Sequence, residues 1–390
     1  MDYLYTGISC QDVTNVEQEV TLGPKYMRAS LFFCALLVGC GSWEERRDEE
    51  LRVLEGHRIS GNEGFANIRL PLTNADKTML LHVTAADGFL SHIERLEDAD
   101  GNILHAFEED IKRSKHRSSG AFASDFTLLN WPVSGEEALL TGEEVVAVVG
   151  ASDDSGTLNS GVRLDLAAYM KADADLDEGE LTVNLFFAGA TVDDAEIRTA
   201  VEEAVELWRI LYADAGLTIN LEMKDWVEGN LPKPGEGAPG EYEALSAESA
   251  LRSINVVIVP TILESEELLG TAGGIPGPLV SSDRSAVLIS AAANAGPDLD
   301  FDDLEVRLLA ETLAHEAGHY LGLFHPVENS WDSWDALSDT EDCDDQQICE
   351  DTFKNNLMFP YPVCDGSNCE MQDGLTELQR SVLQRYTGVW

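Results

Sequence analysis

The residues from His315 to His325 read HEAGHYLGLFH, and their types and spacing describe a metal site. Residues four apart on a helix lie one turn above one another, so His315 and His319 can aim imidazole nitrogens at one ion from the same face. Glu316 stands one residue round from His315. That offset keeps it off the metal yet beside a water in an open fourth position, where a carboxylate can take a proton. Gly322 follows the second histidine by three residues, and glycine adopts the left-handed conformation that ends a helix and turns the chain back. The turn delivers His325 as third ligand, and three nitrogens with one open position suit zinc. Five fixed positions, three of them a residue type that occurs 8 times in 390, should coincide at random in roughly one chain in 10^4 or rarer. The other histidines, His57, His82, His92, His105 and His116, all lie far upstream.

This window resembles the metzincin clan of zinc endopeptidases, whose extended motif H-E-x-x-H-x-x-G-x-x-H it contains. A second segment agrees with it. Asn356-Leu357-Met358-Phe359-Pro360, with Met358 33 residues after His325, resembles the methionine turn that lies beneath the zinc in that clan. Proline after an aromatic is similar to the matrix-metalloproteinase version, and Pro326 after the third histidine is similar to serralysins. The string Leu268-Leu269-Gly270-Thr271-Ala272-Gly273-Gly274-Ile275-Pro276-Gly277, with the cysteines that flank Met358, is similar to pappalysins and their bacterial relatives. The resemblance covers roughly residues 180 to 390. It implies peptide-bond hydrolysis with His315, His319 and His325 on zinc, Glu316 as general base, Gly322 and Met358 in supporting roles, and a protein or peptide as substrate. Many members place a tyrosine two residues after the methionine. Here that position is Pro360 and the tyrosine is Tyr361, which sets Tyr361 apart from the family's transition-state role. The resemblance also implies an edge strand that pairs with substrate backbone, and the segment from Gly273 to Pro276 is the candidate.

Near the start, Met27-Arg28 precedes an apolar run from Leu31 to Val38, and Leu37-Val38-Gly39-Cys40 resembles the lipobox of bacterial lipoproteins, whose cysteine is lipidated. The run is too short to span a bilayer as a helix. A small buried apolar segment is the competing reading. Residues 1–26 put a polar, acidic stretch ahead of a signal that reads naturally from Met27, which points to a start at Met27. Gly41 and Ser42 lack the aspartate that favours inner-membrane retention. The expectation is an exported chain held at the bacterial outer membrane or cell surface only by lipid on Cys40. Of seven cysteines, Cys10 and Cys34 would leave with the leader and Cys40 would carry lipid, which leaves Cys343, Cys349, Cys364 and Cys369. An even number in an exported chain reads as two disulfides, with three pairings open. A second zinc site competes, but no histidine accompanies these cysteines and none of the spacings is C-x2-C. The pappalysin resemblance implies bridges from Cys343 and Cys349 across to Cys364 and Cys369, clamping the methionine turn.

The elements that must position this chemistry divide the chain. Residues 41–61 are largely polar and charged and read as a tether. Residues 62–175 hold short β-branched and aliphatic runs between turn signals, at Met79 to Thr84, Phe126 to Leu129, Val145 to Val149 and Val162 to Ala167, and read as an all-β sandwich. Asp98 to Asn102 reads as a hairpin turn, since Gly101 at the sixth position of a calcium loop would put Leu96 at the first. Lys112 to Arg117, KRSKHR, reads as a solvated loop, with a processing site as the alternative. After an acidic linker, residues 180–390 follow the order the metzincin resemblance implies: a strand at Leu181 to Phe187, a helix whose apolar positions run from Ile197 to Leu211, strands at Leu217 to Leu221, Ile254 to Val259 and Ala286 to Ser290, and a metal helix from near Asp303. The expected fold class is α+β, a metzincin-like zinc-peptidase domain preceded by a sandwich.

The loop between the third histidine and Met358 carries nine acidic residues from Asp332 to Asp351 and no Lys or Arg. One reading is a solvated loop. The other is a calcium site built from Asp335, Asp339, Asp342 and Asp344, since charges this dense repel unless neutralised. The whole chain has 72 Asp and Glu against 25 Lys and Arg, a formal charge of −47, which excludes nucleic acid as a partner and repels anionic membrane surfaces. Two functions compete: an endopeptidase, and a surface adhesion lipoprotein in which the sandwich binds and the zinc is structural. Glu316, which a structural site does not need, favours the enzyme. Thermolysin-like enzymes take a distant glutamate as third ligand, and the intact Gly322 and His325 argue against that variant.

Overall fold

The computed structural model describes residues 43–48, 51–107, 126–172, 176–226, 231, 242, 244–246, 249, 252–262, 267–279, 281–295, 300–365 and 368–390. The expectations for the leader, for Cys10, Cys34 and Cys40, and for the basic run from Lys112 to Arg117 fall outside these residues. The first half of the described chain is all strand: β1 (Glu44–Asp48), β2 (Leu51–Ile59), β3 (Phe65–Pro71), β4 (Thr78–Ala85), β5 (Leu90–Asp98), β6 (Ile103–Ala106), β7 (Phe126–Trp131), β8 (Glu144–Ser152) and β9 (Arg163–Lys171). These form two antiparallel sheets, in the orders β1-β2-β9-β4-β7 and β3-β8-β5-β6. Alternation makes the core: in β3 Ala66, Ile68 and Leu70 are buried while the residues between them are exposed, and they join the same apolar cluster as Leu81 and Val83 of β4. Between β5 and β6 the Asp98 carboxylate accepts the backbone N–H groups of Asp100 and Asn102, which closes the turn at Gly101.

The segment expected as a tether belongs to this fold. From Leu51 to Ile59, β2 pairs with β9 over its full length, from Leu51 opposite Lys171 to Ile59 opposite Arg163. Its polar composition hides three core positions, Leu51, Val53 and Leu54, all at most 1% exposed. Arg52 among them is 4% exposed, and its charge is met by Asp76 and the Pro71 carbonyl. A charged residue can be buried only when it is so paired, and no periodicity of residue types reports a partner 24 positions away.

Beyond residue 176 the chain alternates strand and helix: β10 (Gly179–Ala188), α1 (Ala195–Ala213), β11 (Leu217–Trp226), β12 (Ser253–Val259), β13 (Gly270–Ala272), β14 (Val287–Ser290), α2 (Ala291–Ala295) and α3 (Asp303–Tyr320). The sheet order is β11-β10-β12-β14-β13, parallel throughout except for β13, which runs antiparallel along one edge. The central β12 is buried at every residue, as a parallel strand covered on both faces must be. Helix α1 starts on the Asp194 carboxylate and buries Ile197, Ala200, Val201, Ala204, Val205, Trp208 and Tyr212 at helical spacing. The Tyr212 hydroxyl donates to the Ala314 carbonyl of α3 at 2.8 Å and ties the two helices together. Helix α3 opens with a capping box between Asp302 and Glu305, one residue from the expected start. The chain closes with α4 (Gln346–Phe353), the short pair β15 (Cys364–Asp365) and β16 (Asn368–Cys369), and α5 (Glu377–Arg385). The protein is therefore mixed α+β.

Two further expectations change here. The edge strand is Gly270–Ala272, three residues before the Gly273 to Pro276 segment, because ladder pairing with β14 follows Thr271 opposite Leu288 and the chain bends at Gly273. The disulfides do not cross the methionine turn. Cys343 pairs with Cys349 and Cys364 with Cys369, each closing a local loop, because the first pair sits at the start of α4 and the second faces itself across the β15–β16 ladder.

Candidate metal centre

Helix α3 carries His315 and His319 one turn apart, and the chain leaves it at Gly322, whose φ of 111° is open to glycine and strained for any residue with a Cβ. This turn brings His325 back over the helix. Its Nε2 lies 3.1 Å from Nε2 of His319 and 3.3 Å from Nε2 of His315, and the ligand atoms of all three lie within 4.8 Å of one another. Among the described residues these are the only three His, Cys, Asp or Glu side chains gathered in that way. A tetrahedral zinc with Zn–N bonds of about 2.0–2.1 Å holds its nitrogens about 3.3 Å apart. The triad fits such an ion.

The opposite ring nitrogens explain why Nε2 points inward in each case. Nδ1 of His315 donates to the Leu357 carbonyl at 2.7 Å, Nδ1 of His319 to the Leu323 carbonyl at 2.6 Å, and Nδ1 of His325 to Oε2 of Glu328 at 3.0 Å. A proton held on Nδ1 leaves the Nε2 lone pair free as a ligand. Burial keeps the rings of His315 and His319 neutral: it lowers the His315 pKa to about 3 and pushes that of His319 well below the usual range, with neighbouring histidines adding to both shifts.

Glu316 is 9% exposed and accepts a backbone hydrogen bond from Ala272 on the edge strand. Burial raises its pKa to about 8, a proton affinity in the range a group needs to take up and hand on protons near neutral pH. Room for it comes from Gly270, where a Cβ would stand 2.5 Å from the Glu316 Cγ. The edge strand is held beside α3 by Asn294, which donates to the Leu269 carbonyl at 3.1 Å and accepts from Thr312 at 2.9 Å. A cavity of about 250 Å³ opens next to His315 and Glu316 between this strand and the segment from Phe359 to Pro362. Glu311, one turn back along α3, lines the same cavity and is 6% exposed, and burial raises its pKa.

Met358 is fully buried under α3, packed so closely that a Cβ on Gly318 would lie 2.9 Å from its sulfur. Its turn is held by Asn356, whose side chain accepts from the Met358 N–H at 2.9 Å and donates to Gln379 of α5 at 2.8 Å. Tyr361 lines the cavity beside His315 and Glu316, but its hydroxyl is engaged elsewhere. Its hydroxyl donates to Glu350 of α4 at 2.7 Å, and burial, with that bond adding to it, raises its pKa to about 12. Of the four aspartates expected around calcium, no three bring ligand atoms within 4.8 Å of one another among the described residues. Asp335 is buried and accepts from the Leu337 N–H, while Asp339 accepts from the Leu378 N–H and the Thr376 hydroxyl at the start of α5. Asp342 and Asp344 are exposed.

Residue types and spacing did not reveal Glu328, Gly270, Gly318 or the carbonyls of Leu323 and Leu357. Only Glu328, a carboxylate three residues after a ligand histidine, left a trace in the sequence.

No protein-family model and no curated protein matches the chain. Among solved structures, metalloproteinase-II from Bacteroides fragilis overlays with a TM-score of 0.28 at 18% identity, over 43% of this chain and 52% of that one. The chain thus spans about half the length of that protein. A family two carbohydrate esterase from Clostridium thermocellum overlays with a TM-score of 0.14 at 8% identity, over 55% of this chain and 62% of the esterase. Overlap this slight defines neither fold nor function, and the reading of the site rests on its own geometry.

Proposed function

We propose that this chain is a metzincin-like zinc endopeptidase, exported and anchored through Cys40, that hydrolyses peptide bonds in extracellular or surface proteins. The observation that carries the proposal is the convergence of three Nε2 atoms beside Glu316, with every Nδ1 already committed to a hydrogen bond. Bound there by His315, His319 and His325, zinc would supply Lewis acidity to a scissile carbonyl and acidify a water. Glu316 takes the proton from the attacking water and passes it to the leaving amine, a role its raised pKa suits. The edge strand Gly270–Ala272 offers backbone groups to an extended peptide, and aligns it across Glu316. Gly322 delivers His325, and Met358 supports the helix from below. Glu311 in the adjoining cavity suits a substrate side chain that carries hydrogen-bond donors. The two disulfides favour an oxidising compartment, and no described helix is long and apolar enough to cross a membrane.

The test pairs metal content with cleavage. The purified chain should hold one zinc and cut a mixed protein substrate. Glu316→Ala should keep the zinc and lose about 10^2 to 10^4 in rate, roughly 3 to 5 kcal/mol of transition-state stabilisation. A parent protein that holds zinc yet cleaves nothing across a broad peptide library would replace this reading with structural zinc in an adhesion protein.

A further inference from the structure

We propose that Glu328 is a positioning residue for the third ligand, holding His325 in the tautomer and orientation that aim its Nε2 at the metal. The inference rests on the zinc reading above. His315 and His319 are fixed by the helix that carries them, and their Nδ1 atoms meet backbone carbonyls. His325 has neither support. It stands beyond Gly322 on a loop with its side chain 20% exposed, and its Nδ1 meets a carboxylate, Oε2 of Glu328, at 3.0 Å.

The carboxylate is itself held by a built turn. Val327 and Trp334 form an antiparallel bridge, the Glu328 N–H donates to the Ser333 carbonyl at 2.9 Å, and the Trp331 N–H donates to the Glu328 carbonyl at 2.9 Å. Trp331 at its tip has a φ of 57°, left-handed backbone that a bulky residue adopts only against a steric cost. Contacts with the methionine-turn segment offset that cost: the Trp331 ring stacks on Phe359 at 6.4 Å and meets Tyr361 edge-on at 6.2 Å. The turn after the third histidine is thus anchored to the wall that also receives His315, through the Leu357 carbonyl. An anionic acceptor on Nδ1 fixes the proton there and makes Nε2 the more basic ligand, and loss of such a partner costs 10- to 100-fold in metal affinity as a rule.

The experiment uses the full chain and measures zinc affinity by competition with a chromophoric chelator for the parent, E328A, E328Q and E341A. E328A should bind zinc about 10- to 100-fold more weakly. E328Q, whose amide oxygen still accepts the Nδ1 proton, should fall between E328A and the parent. E341A removes an exposed carboxylate from the same loop and should leave affinity within about twofold, since its charge is screened by solvent. Nitrogen NMR of the metal-free proteins should find His325 protonated at Nδ1 in the parent and E328Q, and divided between tautomers in E328A. Affinity of E328A within twofold of a zinc-binding parent, or an equal loss in E341A, overturns the inference and leaves the proposed function standing. A parent that takes up no zinc refutes the function instead, and the tautomer of His325 then decides the inference. If E328A does not fold, E328Q carries the test: it should bind zinc measurably more weakly than the parent with His325 still protonated at Nδ1, and an E328Q that binds as tightly as the parent, or more tightly, overturns the inference.

Discussion

In the window from His315 to His325 three side chains bring their nitrogens to one point, whereas in the acidic loop that follows, a denser set of potential ligands spreads out. His319 and His325 approach to 3.1 Å, while Asp335 and Asp339 turn to separate backbone donors and Asp344 faces solvent. The difference lies in what sets direction. A helix fixes where residues four apart point, and one left-handed glycine fixes where the chain goes next. A loop of aspartates has no such period, and Asp335 and Asp339 each turn to a local backbone N–H. Ligand type alone therefore says little, and ligand type on a rigid frame says much.

The largest expected effect breaks the convergent half of the comparison. His319→Ala removes the middle ligand, and the protein should emerge from dialysis without zinc and with cleavage reduced at least as far as loss of the base would reduce it, about 10^2- to 10^4-fold. Asp344→Ala, in the dispersed half, should leave both zinc content and rate unchanged. Metal analysis and a cleavage assay on the two variants check this, and equal behaviour would erase the distinction between the regions.

A smaller effect tests the frame and leaves the ligands in place. Gly270→Ala would put a Cβ 2.5 Å from the Glu316 Cγ, so the carboxylate must shift or the edge strand must retreat. Zinc should stay bound while the rate falls about 10^2-fold, the usual consequence of displacing a reacting group by about 1 Å. Below that comes Cys343→Ser with Cys349→Ser. Opening a loop of 6 residues should lower stability by about 2 kcal/mol in denaturant unfolding and leave zinc content alone, because this bridge closes on itself beside the site and clamps nothing across it.

What could be read from the sequence follows the same division. The three histidines, Glu316 and Gly322 were legible because helical spacing and a glycine turn convert sequence separation into direction, and Met358 only through the resemblance of its segment to a methionine turn. Strands β10 and β12 and helix α1 were legible because apolar runs and a 3.6-residue period mark burial on the chain itself. Strand β2 was not, since Arg52 lies inside it and only the distant Asp76 makes its burial tolerable. The disulfide pairing was not, since it depends on the two-residue ladder that sets Cys364 opposite Cys369. Glu328 left only its three-residue spacing from His325, which does not give direction on a loop whose geometry is set by packing of Trp331 on Phe359.

The smallest effect sharpens the dispersed half. Asp339 accepts from the Leu378 N–H at 2.8 Å and from the Thr376 hydroxyl at 3.0 Å, so it satisfies the first turn of α5 from outside the helix. Asp339→Ala should therefore cost about 1 kcal/mol, the value of a lost N-terminal cap. Addition of millimolar calcium should leave the melting temperature of the parent unchanged, because among the described residues no three of these carboxylates bring ligand atoms within 4.8 Å of one another. If instead calcium raised the melting temperature and Asp339→Ala removed that rise, the aspartates would have to converge in solution as the histidines do. The contrast between a framed and an unframed ligand set would then fail at its weaker end.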